Sequence, residues 1–173
     1  IKESGKNILL AASLPPLETS YRSDLVLDTP SMDRMYAELS EIIEGKVDII
    51  ICETMSHSKE ARSALSSIQQ SKSKKWLGWT LYGSQNTLPS GETITEAFNA
   101  ISDLKCDAYL INCGGANLIT EGIRELKSLT NKRIGGYGNS EIIDISDNDR
   151  SDRPEEDHWA AAIPINEKEY AKE

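Results

Sequence analysis

The feature that most constrains this chain is a repeated alternation of short apolar runs with longer amphipathic stretches. Runs of five to seven residues at 7–12, 47–52, 75–81, 108–113 and 133–137 have the length of buried strands and are too short for buried helices. Between them, 31–43, 58–70, 93–104 and 116–129 place apolar side chains at helical spacing. In the first of these Met32, Met35, Tyr36, Leu39, Ile42 and Ile43 recur on one helical face behind Thr29-Pro30-Ser31, a helix-start signal.

Strands alternating with helices of this length build βαβ units, and right-handed crossovers then leave two solutions, a doubly wound sheet or a barrel. Periodicity alone does not separate them. The strand ends favour the barrel: Ser13, Glu53-Thr54, Tyr82, Asn112-Cys113 and Asn139-Ser140 put a polar or reactive residue at the C-terminal end of every strand, where a (β/α)8 barrel carries its chemistry. The expected fold class is therefore α/β, a (β/α)8 TIM barrel present as an incomplete barrel of about five β/α units, where a closed one has eight.

From Glu141 onward the pattern changes. Asp144, Asp147, Asp149, Asp152 and Asp157 mark an irregular, charged loop before Trp159, and a helix is expected to begin near Asn166. At 173 residues the chain has room for one domain with a substantial core, or a piece of one. Its 28 acidic and 19 basic residues leave a net charge of −9, and no Lys/Arg stripe is present to track a phosphate backbone, which argues against nucleic acid and anionic membranes as partners. The longest apolar run, 47–52, is interrupted by Asp48 and falls far short of the roughly 20 residues of a membrane span. Residues 1–7 lack a signal-peptide pattern and do not begin with Met, so further sequence is expected upstream. Three cysteines, an odd and irregularly spaced set, are expected to be reduced thiols of a cytoplasmic protein.

Two strand ends carry the chemistry. In Leu110-Ile111-Asn112-Cys113-Gly114-Gly115 a thiol stands where the strand opens into the mouth of the fold, and the glycines behind it let a backbone or ligand approach closely. A thiolate there can bind zinc or attack an electrophile; alternatively the Cys is a small hydrophobe closing the strand. In Ile49-Ile50-Ile51-Cys52-Glu53-Thr54 a buried strand ends in a carboxylate, which needs a cation, a metal or hydrogen-bond donors. A substrate ammonium is one such partner, and a salt bridge or a loop cap is another. By alternation Cys52 faces away from Glu53 and packs. The loop after the first strand, with Leu14-Pro15-Pro16 and Ser20-Tyr21-Arg22-Ser23-Asp24, is stiffened by its prolines, and Arg22 is either a carboxylate-binding group or a partner of Asp24. His57 and His158, the only histidines, have no second ligand at metal spacing and are assigned to solvent or helix-start roles. Gly135-Gly136-Tyr137-Gly138 matches no phosphate-binding pattern.

Taken in order, Ala12-Ser13-Leu14-Pro15-Pro16 with Ser20-Tyr21-Arg22, Cys52-Glu53-Thr54, Leu77-Gly78-Trp79-Thr80, Ile111-Asn112-Cys113 and Tyr137-Gly138-Asn139-Ser140 resemble the homocysteine S-methyltransferase family, up to about Asp144. The resemblance implies a (β/α)8 barrel that transfers a methyl group from a cationic donor (S-methylmethionine, S-adenosylmethionine or betaine) to the thiol of homocysteine, giving methionine. It implies Zn2+ as cofactor with Cys113 as the first of three thiolate ligands. It also implies a substrate-binding set of Glu53, Thr54 and Asn112, with Glu53 on the amino group. Two family motifs are missing, the tandem cysteines of Gly-Gly-Cys-Cys-Gly and an N-terminal Asp-Gly. Residues 1–173 are accordingly expected to be a central-to-late portion of the barrel domain, inactive alone and an enzyme when intact. In place of the family's usual residues stand Pro15 in the first loop and Gly138 before Asn139, departures that leave the identity of the donor open. The competing reading is a non-catalytic barrel that binds a small amino acid.

Overall fold

A computed structural model describes residues 7–82, 86–143 and 162–172. Five strands, β1 (Ala11–Leu14), β2 (Ile49–Met55), β3 (Lys74–Trp79), β4 (Ala108–Gly115) and β5 (Arg133–Asn139), form one sheet in the order β1-β2-β3-β4-β5. Every pairing in it is parallel. A doubly wound sheet reverses its strand order at a switch point; this one never does. Successive right-handed crossovers in one direction leave the helices on one face, which is the winding of a (β/α)8 barrel. The fold is a partial TIM barrel, as the strand ends implied.

The intervening helices are α1 (Thr29–Ile43), α2 (Ser58–Ser67), α3 (Ile94–Asn99) and α4 (Ala116–Leu129). Local chemistry starts them. Asp28 accepts from the Ser31 amide at 3.0 Å ahead of α1, with Pro30 in its first turn. Thr93 and Glu96 form a reciprocal capping box on α3. His57 caps α2 by accepting from the Lys59 amide, the helix-start role expected of it. Met32 and Tyr36 of α1, Ala61, Ala64 and Leu65 of α2, and Leu118, Ile119 and Leu126 of α4 join Cys52, Leu77 and Ile111 of the strands in one buried apolar cluster. No helix among the described residues is long and apolar enough to cross a membrane.

Most expected boundaries move by one to three residues, and two move further. The first strand pairs over Ala11–Leu14 rather than 7–12, because β2 begins opposite Ala11 and Ile8, Leu9 and Leu10 are left 42–55% exposed. α3 ends at Asn99 instead of continuing to 104; there the Ile101 and Leu104 amides bond three residues back, to Phe98 and Ile101, in tighter turns. Beyond β5 the chain forms an antiparallel pair, β6 (Glu141–Ile143) with β7 (Ala162–Pro164), and a short helix, α5 (Glu167–Tyr170), capped by Asn166 where a helix start was expected. The acidic loop 144–157, Trp159 and His158 lie outside the described residues.

Candidate functional site

Two strands break their register at the same end of the sheet. β2 shifts between Cys52 and Met55, and β4 between Asn112 and Gly115. Inside these bulges Thr54 has φ +61° and Cys113 φ +56°. For a β-branched threonine that is an uncommon conformation costing about 1–3 kcal/mol, and it persists only where the surroundings enforce it.

Asn112 enforces it. Its side chain, fully buried, crosses β3 to reach β2: Oδ1 accepts the Thr54 amide at 3.2 Å and Nδ2 donates to Thr54 Oγ1 at 2.7 Å. The crossing is possible because β3 has glycine at the point of passage. A Cβ on Gly78 would sit 2.5 Å from Asn112 Oδ1. The Asn112 amide also donates to Cys113 Sγ at 3.0 Å, and the Thr54 hydroxyl reaches the same sulfur at 3.5 Å. Just beyond β3, Thr80 Oγ1 donates to the Cys113 carbonyl at 3.3 Å. The three residues of two separate bulges thus form one hydrogen-bonded unit that presents a half-buried thiol at the mouth of the barrel.

Two phenols flank this unit. Tyr21, itself at φ +71°, is hydrogen-bonded to Cys113, and burial, reinforced by Cys113, pushes its hydroxyl up to about 12. Tyr137 of β5 donates to Glu53 Oε2, and burial together with that carboxylate holds its proton well above the ordinary tyrosine range. Both phenols are therefore neutral donors at physiological pH. Glu53 is half-buried, and the described arginine ion pairs go elsewhere, Arg22 to Asp24, Arg62 to Asp103 and Arg124 to Glu121. Of the two readings of Arg22, the structure has the bidentate pair with Asp24.

The sequence-derived residues Glu53, Thr54, Asn112 and Cys113 all reach this one mouth. Cys52 lies in the core with its thiol held protonated by burial, and burial likewise pushes Cys106 up to about 12. Tyr137 was not singled out as a partner for Glu53, although it shares a strand face with Asn139 at the same end of the sheet. Among the described residues no group of three His, Cys, Asp or Glu side chains is placed to hold a metal ion. Cys113 offers one soft thiolate donor there, and a zinc ion would need its other ligands from elsewhere.

The family model for homocysteine S-methyltransferase matches residues 1–171. The chain belongs to the homocysteine S-methyltransferase family. Solved structures of the homocysteine methyltransferase MmuM from Escherichia coli share its fold. The apo form superposes with a TM-score of 0.62 at 16% identity, over 79% of this chain and 59% of that one. The metallated form gives 0.64 at 18% identity, over 79% and 58%. The chain thus spans less than two thirds of the length of these family structures. No curated protein matches it.

Proposed function

We propose that the protein carrying this chain transfers a methyl group from a cationic donor to the sulfur of homocysteine, with zinc as its metal. The observation that supports it best is the convergence of Cys113 and Glu53, from different strands, on one barrel mouth built by the Asn112–Thr54 bridge. Family membership and the existence of a metallated form of MmuM agree with this reading.

In this scheme Glu53 receives the ammonium of homocysteine, Thr54 lines the substrate side, and Asn112 shapes that side from beneath while orienting Cys113. Cys113 is one zinc ligand, the others coming from outside the described residues. Zinc, when bound, lowers the pKa of a coordinated thiol and so supplies a nucleophile at neutral pH. The substrate sulfur forms a bond to the methyl carbon as the carbon's bond to the donor's positive sulfur or nitrogen breaks, its electron pair leaving with the now neutral donor. The thiol proton goes to solvent. S-methylmethionine, S-adenosylmethionine and betaine all satisfy this chemistry. Three free cysteines suit a reducing compartment such as the cytoplasm.

The test is Glu53→Gln in the intact protein. Removing the charge while keeping the shape should raise KM for homocysteine about 10- to 100-fold, the range of a charge-assisted hydrogen bond. An unchanged KM would remove Glu53 from the substrate site.

A further inference from the structure

We propose that Tyr137 is a positioning residue and specificity determinant for the amino group of the substrate, acting through Glu53. This rests on Glu53 being the ammonium acceptor, and it names the device that makes it one. Glu53 stands on β2 and Tyr137 on β5, 84 positions away in sequence and separated by two strands in the sheet. The Tyr137 hydroxyl nevertheless donates to Glu53 Oε2.

The identity of the partner matters. A lysine or arginine in that place would orient the carboxylate but neutralise it, and the substrate ammonium would have to displace a cation. A phenol orients the carboxylate and leaves its full negative charge available. Glu53 is only half-buried and follows a strand into a bulge, so without a tether its side chain would sample several rotamers that binding must then freeze. The tyrosine is a two-torsion ring anchored on β5, with two strands between; it fixes the carboxylate before substrate arrives, which is preorganisation. The raised pKa of Tyr137, caused by partial burial and by Glu53, keeps the proton on the phenol at neutral pH.

Tyr137→Phe tests this in the zinc-loaded, full-length protein. Tyr137 is 40% exposed, so loss of the hydroxyl should leave the fold and zinc content unchanged. KM for homocysteine should rise about 3- to 10-fold, the range of one neutral-donor hydrogen bond, with kcat within about twofold, and the calorimetric Kd should follow KM. Preference for homocysteine over 4-mercaptobutanoate, which has the thiol and no ammonium, should shrink by the same factor. In a Glu53→Gln background the Tyr137→Phe change should add nothing. Equal effects of Tyr137→Phe in both backgrounds would mean that Tyr137 does not act through Glu53 and would overturn the proposal. So would wild-type KM and preference in Tyr137→Phe alongside a raised KM in Glu53→Gln, and that outcome would leave the ammonium role of Glu53 standing. Wild-type KM in Glu53→Gln itself would defeat both.

Discussion

Gly78→Ala isolates the contact on which the site's geometry depends. The added methyl would sit 2.5 Å from Asn112 Oδ1 and 3.3 Å from Leu110 Cβ, and neither neighbour can swing aside freely. Asn112 is fully buried and committed to the Thr54 amide, the Thr54 hydroxyl and the Cys113 sulfur. Overpacking of this kind costs about 1–3 kcal/mol, and each buried hydrogen bond broken by a retreating amide adds about 1 kcal/mol. A total of about 2–4 kcal/mol is expected, which for a chain of this size lowers Tm by about 5–15 °C. Thermal and urea unfolding should be followed beside Gly114→Ala, whose new Cβ meets nothing closer than 3.5 Å and should be nearly silent. In an Asn112→Ala background the Gly78→Ala penalty should shrink by about 1–3 kcal/mol, the coupling of directly touching residues. A Gly78→Ala protein as stable as wild type, or a penalty unchanged without Asn112, would refute the crossing of β3 as the determinant of the site.

Two further outcomes follow from the same structure. Of the three cysteines of this chain, metal-free native protein should expose only Cys113 to rapid alkylation, and all three after denaturation, because burial holds Cys52 and Cys106 protonated; rapid native labelling of either buried cysteine, read by peptide mass mapping, would contradict this. Glu92 should confer sensitivity to acid. Its burial opposes ionisation, but hydrogen bonds from Ser58 and Ser90 and the neighbouring His57 outweigh that and lower its pKa. A carboxyl whose folded pKa is depressed stabilises the fold above its unfolded pKa, and that contribution is lost as pH falls through the folded value. The stability advantage of wild type over Glu92→Gln should thus be full at neutral pH and shrink below about pH 4.3, and denaturation midpoints showing a constant difference from pH 7 to 3 would count against it.

Much of the fold is legible from the sequence because buried parallel strands and amphipathic helices leave distinct periods, and Thr29-Pro30-Ser31 and Asn166 mark helix starts directly. The start of β1 was not, because an apolar run does not say where its partner begins; only the register against Ile49 decides. The choice between open sheet and barrel came from polar residues at strand ends, and the strand order agrees with it. Glu53, Thr54, Asn112 and Cys113 could be grouped because parallel strands deliver their C-terminal ends to one mouth. The way they interlock could not. A left-handed Thr54 runs against its residue type, Asn112 is bonded across an entire strand, and Tyr137 meets Glu53 from 84 residues away. All three depend on tertiary contacts that no local window contains.

The most direct test of the central claim is zinc content and homocysteine-dependent methyl transfer measured on the intact protein beside Cys113→Ala. The account predicts about one zinc per chain in the wild type, lost together with activity when Cys113 is removed. An intact protein that binds no zinc and ignores homocysteine, or a Cys113→Ala variant that keeps both metal and turnover, would contradict it.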